Sequence, residues 1–397
     1  MIHRPFRTVA ACSFASALAL SALACSPKAN TSTVQPGVSD TGIKLGVLID
    51  SSGAFAAGGK ATLQGLQLAW DETNKRGGVC GKKVELVVED HGYNTQNAVN
   101  QYNEMEPKVL AFQMLLGSPM VSALRPSIEK DEVLTIPSSF ATGLLTSPHI
   151  VLTGTTYKQE MSNALHWLAD KGEVRRGDTV GHIYLQGEFG EDALAGTRSA
   201  AEELGLKVEA QQVDPSSKDL TAEVSALRSR DVEHIMLSTS PTQTASAVSV
   251  AAGSGYDAKF VGSTFTFVPS LLSGNARKPL TDNFRLTTAL APLSSDEPGP
   301  ARVGAAFQRR WPGQQPNPPV VHGAGAAAVM EQILTTACEK GPLTRQNVFD
   351  TYKSLSEVRT DGLLPPLDYT RPGAPPTRES SMLRPDTKVL GNLEPVR

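Results

Sequence analysis

The residues that first invite a chemical reading are Ser51 to Gly65, SSGAFAAGGKATLQG. They follow the apolar run IKLGVLI (Ile43 to Ile49) and lead into a helical segment, LQLAWDETN. A strand, a glycine loop carrying Lys60 and a helix would together suit a phosphate, because backbone N–H groups at a helix start are ready anion donors. The nucleotide-binding motif, however, requires Gly, four residues, then Gly-Lys-Ser/Thr. Ala54 stands at its first glycine and Ala61 at its magnesium-binding hydroxyl. Half of the fixed positions fail, so the loop needs another use.

Other chemistries leave equally little trace. There is no Cys-x-x-Cys, His-x-x-x-His or His-Glu-x-x-His, so no structured zinc site is expected. No Gly-x-Ser-x-Gly elbow is present, and the histidines have no evident nucleophile beside them, which argues against a secreted α/β hydrolase. The formal net charge is −3 with acids and bases interspersed, which is no footprint for nucleic acid. No cofactor is expected. His91 and His322 have no convincing partners, and Trp70 and Trp311 read as helix-face packing.

The N-terminus bears on compartment. Arg4 and Arg7 precede an uncharged run, Thr8 to Ala24, too short and serine-interrupted for a membrane span. It ends in Ala22-Leu23-Ala24-Cys25, which resembles a bacterial lipoprotein signal and would make Cys25 the lipidated first residue of the mature protein. An ordinary cleaved signal would change the anchor but not the compartment. Residues 1–24 thus read as a signal peptide and 25–42, rich in Ser, Thr, Pro and Gly, as a flexible tether. Of four cysteines, only Cys80 and Cys338 remain for the folded body. Export permits a disulfide between them, and two buried thiols are the alternative.

The remaining length is too great for one ordinary core and fits two domains. KVELVVE (Lys83 to Glu89), VLAFQMLL (Val109 to Leu116) and VLTI (Val133 to Ile136) read as strands, the second as a buried parallel one. Between the last two lies a helix from Ser118 to Asp131, with Ser118 as its cap, Pro119 in its first turn and Pro126 as a kink or restart. A second series follows: strands TVGHIYL (Thr179 to Leu185), KVEAQQV, EHIMLSTS and AKFVGST, with helices Glu191 to Gly205, TAEVSALRS and TASAVSVAAGSG between them. Strand and helix alternate twice over, which predicts two parallel-sheet α/β domains. Beyond Asn283 come a strand (FRLTTAL), a helix around Val303 to Trp311 and the long helix GAGAAAVMEQILTTACEKG. The tail after Leu364 is proline-rich and shows little periodicity.

These elements carry a resemblance. IKLGVLIDSSGAFAAGGKATLQGLQLAWDETNKRGGVCGKKVELVVEDH, LLGSPMVSALRPSIEKDEVLTIPSSFAT and GHIYLQGEFGEDALAGTRSAAEELG resemble, in order, type I periplasmic binding proteins of branched-chain amino-acid ABC transporters, the leucine-binding-protein-like family. The resemblance runs from about Ile43 to about Asp368. It implies an α/β fold of two lobes, each a parallel sheet flanked by helices, joined by a three-strand hinge. Lobe 1 would comprise 43–153 and 291–363 and lobe 2 154–290 and 364–397, with crossings near Thr153, Leu290 and Leu364. Cys80 and Cys338 would then both belong to lobe 1. Ligands of such sheets bind outside the carboxyl ends of strands, here in a cleft that a hinge can close.

The resemblance also implies site residues. Ser118 would bind a ligand carboxylate, aided by the helix start. Ser139, Phe140, Ala141 and Thr142 would present backbone and a hydroxyl to the same group. Phe189 would close over the ligand from lobe 2, and Tyr157 and Ser240 would add polar contacts. Thr264 is a departure: amino-acid binders place a carboxylate there for the ligand ammonium. An enclosed ammonium without a counter-charge would cost several kcal/mol, on the order expected for an unpaired buried ion. Either another acid enters, with Asp50 a possible substitute unless it caps its own turn, or the ligand is not an α-amino acid. In the opening stretch Ser51, Ser52 and Phe55 are candidate contacts, and Lys60 is expected to be solvated near the cleft rim.

The function implied is the extracytoplasmic substrate-binding component of an ABC importer, a monomer that captures a small solute and meets membrane permease subunits. The solute would be a hydrophobic amino acid, an amide or a small aromatic or aliphatic carboxylate, the last two ahead of leucine. A ligand sensor of the same fold is the alternative.

Overall fold

A computed structural model describes residues 35–396. The expected signal peptide, Cys25 and the first part of the expected tether lie outside them. The rest of the tether is not free chain. Gly37, at φ +72°, turns the backbone so that its carbonyl accepts from Lys44 N at 2.7 Å. Val38 pairs with Ile43 and Lys82 Nζ donates to the Asp40 carbonyl at 2.8 Å. A Cβ on Gly37 would lie 2.3 Å from Leu110 N, so only glycine fits this turn.

The first sheet is built from β1 (Gly42–Ile49), β2 (Lys83–Asp90), β3 (Ala111–Leu116) and β4 (Thr135–Ser138), all parallel, in the order β2-β1-β3-β4. Helices α1 (Ala56–Lys75), α2 (Thr95–Met105) and α3 (Ser118–Lys130) connect them. Pro126 lies inside α3 without ending it. On β1, Ile43, Leu45, Val47 and Ile49 enter one core while Leu48 enters the other, the two-residue period of a strand covered on both faces.

The chain then forms α4 (Tyr157–Asp170), β5 (Thr179–Leu185), α5 (Glu188–Leu204), β6 (Lys207–Val213), α6 (Thr221–Arg228), β7 (His234–Ser238), α7 (Pro241–Gly253), β8 (Lys259–Gly262), α8 (Arg277–Asn283) and β9 (Phe284–Thr288). It returns through α9 (Pro298–Arg310), α10 (Pro319–Lys340) and α11 (Arg345–Lys353), whose apolar faces join the core under β1. Finally β10 (Ser381–Pro385) and β11 (Leu393–Pro395) extend the second sheet, in the order β11-β10-β9-β8-β7-β5-β6. β5 to β9 are parallel; β10 and β11 are antiparallel additions at one edge.

Two expectations need correction. The proline-rich tail contains β10 and β11, whose prolines, Pro385 and Pro395, fall at the last residue of each strand, where a missing N–H interrupts no ladder interior. The third crossing comes later than Leu364: Leu364, Leu367 and Tyr369 remain in the core of the first sheet, and Tyr369 Oη donates to the Leu152 carbonyl at 2.9 Å.

The glycines of the opening stretch serve close packing. A Cβ on Gly59 would meet the Asp50 carbonyl at 1.8 Å, and one on Gly65 would meet the Val320 carbonyl of α10 at 2.0 Å. Lys60 points to solvent. The structure joins Cys80 and Cys338 as a disulfide with Cα atoms 6.4 Å apart, tying the turn after α1 to the last turn of α10. Among the described residues no helix is long and apolar enough to cross a membrane, and no group of three potential ligands could hold a metal.

Candidate functional site: a cleft between two sheets

A cavity of about 180 Å³ lies where the two sheets present their carboxyl ends. From the first sheet come Phe55 and Thr62 after β1, Leu116 at the end of β3 with Gly117 and Ser118 after it, and Ser138 at the end of β4; from the second come Phe189, Pro241, Thr242, Phe265, Phe267, Val268 and Leu271. Tyr157 follows the first crossing and Tyr93 the β2 end. Among the described residues, no Asp, Glu, Lys, Arg or His lines it.

The polar end is organised around α3. Gly117, at φ +102°, is the cap position, and Ser118 is the first helical residue rather than the cap. Its hydroxyl is therefore not spent on its own helix and lies 2.7 Å from Ser139 Oγ. Ser139 is fully buried and supports Ser118 from behind. Burial pushes the Tyr157 hydroxyl well above its usual pKa, against a hydrogen bond with the Ser118 side chain. Free N–H groups at the α3 start, together with these hydroxyls, can take a carboxylate.

The rest of the cleft is aromatic. Phe140 lies behind the lining, its ring 5.8 Å from Phe265, 5.8 Å from Tyr157 and 5.5 Å from His322. Tyr157 and Phe189 are 4.7 Å apart, and Phe55 and Tyr93 4.9 Å. His322 is fully buried, and burial lowers its pKa to about 4, so it is a neutral part of this floor.

Several anticipated contacts lie elsewhere. Ala141 is buried and Thr142 has turned to α5: its amide and hydroxyl both donate to Asp192 Oδ2 at 3.1 Å. That carboxylate also accepts from Lys158 N at 3.0 Å, and burial raises its pKa against these bonds. Ser240 is the cap of α7, exchanging bonds with Gln243 at 3.0 and 3.4 Å; its neighbours Pro241 and Thr242 reach the cleft instead. Ser51 N donates to Asp90 Oδ1 at 2.9 Å, and Ser52 is exposed. Asp50 cannot serve an ammonium, because it accepts from the amides of Ser52, Gly53 and Phe55 at 3.2, 2.5 and 2.8 Å. Thr264 faces Glu160, while the flanking Phe265 and Phe267 line the cleft.

The sequence reading missed Thr62, Tyr93 and Ser138. Thr62 Oγ1 is buried and has no hydrogen-bond partner among the described residues. The only signal for it was position, in the second turn of the helix after a glycine-rich loop. Among the described residues one serine hydroxyl meets a histidine ring, Ser238 Oγ with His182 Nε2 at 2.9 Å, but both residues are fully buried and neither lines the cleft.

The profile of the family described as periplasmic binding protein matches residues 42–388. A solved fatty acid ABC transporter substrate-binding protein from Thermomonospora curvata is 40% identical, with a TM-score of 0.89 over 91% of this chain and 93% of that one. A branched chain amino acid ABC transporter from Thermus thermophilus, crystallised with valine, shares the fold at 20% identity and a TM-score of 0.80, over 91% and 96% of the two chains. A leucine-, isoleucine-, valine-, threonine- and alanine-binding protein from Pseudomonas aeruginosa is 22% identical over 227 residues, 55% of this chain and 60% of that protein. The match thus spans less than two thirds of that relative. With the matched profile covering every strand except β11 and every loop that forms the cleft, the chain belongs to the periplasmic binding protein family.

Proposed function

We propose that this protein is the extracytoplasmic substrate-binding component of an ABC importer, and that its ligand is a small monocarboxylate with an apolar body. The observation that carries the ligand class is the lining: hydroxyls and a helix start at one end, aromatic and aliphatic groups elsewhere, and no acid for an ammonium. A buried charge without a partner is strongly disfavoured, so an α-amino acid fits poorly and a fatty-acid-like carboxylate fits well. The 40% identical relative, named for fatty acid transport, supports this. The volume is slightly above an engineered cavity of about 150 Å³ that takes benzene, which favours a short chain. Lobes divided at about Thr153, at Leu290 and beyond Tyr369 would close on the ligand. The closed form would meet the permease, and lipid on Cys25 would keep the protein at the membrane.

Thermal shift and calorimetry with butanoate to decanoate, against leucine and valine, test this reading. A carboxylate should raise the melting temperature by linkage, with an optimum near hexanoate. Leucine binding as tightly as the best carboxylate would overturn it.

A further inference from the structure

Glu160 is 2% exposed, carries an ionisable group and does not line the cleft. It sits in the first turn of α4, just past the first crossing. Ser263 Oγ donates to its Oε2 at 2.7 Å and Thr264 N at 3.2 Å, and the Thr264 hydroxyl donates to its Oε1. Thr264 Oγ1 is also 3.0 Å from Thr288 Oγ1, which accepts from Leu290 N at 3.0 Å. Thr264 has one hydroxyl proton, and a carboxylate can only accept. Thr288 must therefore donate to Thr264. Every link points the same way, from Leu290 N–H at the second crossing, through Thr288 and Thr264, into Glu160.

We propose that Glu160 is a positioning residue for ligand binding: its carboxylate fixes the Ser263–Val268 loop, and with it the Phe265, Phe267 and Val268 wall, to both neighbouring crossings. The carboxylate-ligand reading enters only through the binding readout. Protonation would disrupt the arrangement, because a carboxyl O–H would have only Ser263 or Thr264 to donate to, and either hydroxyl would then have to turn its own proton away. Burial pushes the Glu160 pKa up to about 7 against the pull of these hydrogen bonds, so that change falls within an accessible range. Few other groups compete. Tyr157 is the titratable neighbour on α4. From α10 comes His322, kept neutral by burial. On α5, Asp192 is engaged by Thr142 and Lys158 N. On β9, Arg285 pairs with Glu173 at 2.7 Å.

The test compares wild type with Glu160→Gln in two measurements. Amide exchange is followed in the ligand-free protein at one fixed pH of 8, and hexanoate affinity is measured at pH 6 and 8, where the ligand stays ionised. The expected results are at least fivefold faster exchange at Thr264 and Leu290 in the variant, about tenfold weaker hexanoate binding at pH 8, and loss of a several-fold wild-type drop between pH 8 and 6. Wild-type exchange at both amides overturns the proposal, as does wild-type affinity with an unchanged pH profile. If hexanoate fails to bind the wild type, the ligand reading falls and the exchange measurement alone decides the role of Glu160. Should Glu160→Gln not fold, Thr264→Val removes the same link, and it must show the same faster exchange at Leu290.

Discussion

The two sides of the cleft differ in what stands at their strand ends, although Phe55, Tyr93 and Leu116 make the first side partly apolar and Thr242 adds a hydroxyl to the second. The first sheet contributes the α3 start, Ser118 and Ser138, with Ser139 behind; the second contributes Phe189, Phe265, Phe267, Val268 and Leu271. Each side also has a buried carboxylate close by, and both are turned away from the ligand. Asp50 caps its own loop and Glu160 gathers the loop behind the aromatic wall. The difference teaches that these two acids shape the protein, while the cleft presents hydroxyls near the α3 start and rings opposite. On the proposed carboxylate reading, such a cleft would orient a molecule with one charged head and an apolar body.

The largest effect should come from reversing the polar side. Ser118→Asp places a negative charge where the ligand carboxylate would sit. At about 4 Å and an effective dielectric near 20, repulsion is about 4 kcal/mol, so hexanoate binding should fall by at least a hundredfold. Ser118 is buried, so the new charge costs some stability, offset in part by its place in the first turn of α3, and the fold itself should hold. Calorimetry and circular dichroism together check this; unchanged affinity would mean that the carboxylate does not lie at the α3 start.

Next in size is a change that should touch neither side of the cleft. Cys80→Ser with Cys338→Ser removes a cross-link over 258 residues of sequence, far from the lining. A loss of about 3 kcal/mol in stability is expected, read by denaturant unfolding, with ligand affinity within twofold of wild type. Two free thiols in unfolded, unreduced protein would show instead that the bridge does not form. Phe265→Ala then probes the apolar side. Losing most of a buried ring contact should weaken binding by about 2 kcal/mol, roughly thirtyfold, and the loss should grow from butanoate to hexanoate. Equal loss for both chain lengths would place the ligand tail elsewhere.

Much of this arrangement was legible in the sequence. Strand periodicity located β5 and β6 to the residue, and the alternating order gave two parallel sheets. Ser118, Tyr157, Phe189 and Phe55 line the cleft, and Ser139 and Phe140 stand directly behind. What remained illegible depends on where a side chain turns. Thr142 and Thr264 are hydroxyls in strand-end loops, as a ligand contact would be, but buried acids from α5 and α4 claim them. Nothing local to either loop reveals an acid that arrives from a helix 50 or 104 residues away in sequence. Ser240 was misplaced for a local reason: a Ser-Pro-x-Gln run forms a capping box, which consumes the serine. The edge strands of the tail pair too briefly to leave a pattern.

The smallest expected effect separates the buried acid from the buried histidines. Burial lowers the pKa of His182 to about 3 and of His322 to about 4, and it lowers those of His91, His149 and His234 as well. Below pH 6.5 the unfolded chain takes up protons that these native histidines refuse, so their contribution to stability is lost as pH falls. Glu160 has the opposite sign. Its folded pKa of about 7 exceeds the ordinary 4.5, so the native state binds the extra proton, and this stability is present at acid pH and lost as pH rises toward 7. Between pH 7 and 5.5 the two contributions oppose, but five histidines outweigh one acid, so the wild-type melting temperature should fall, by less than it would without Glu160. Glu160→Gln removes one of them. The variant should be at least as stable as wild type at pH 8, since it buries no charge, yet should lose about 1 kcal/mol more than wild type on going to pH 5.5, at about 1.4 kcal/mol per unit of uncompensated shift. Parallel melting curves for the two proteins across this range would show that the Glu160 carboxylate is ionised in the native state throughout, and the wall it holds would then be insensitive to pH.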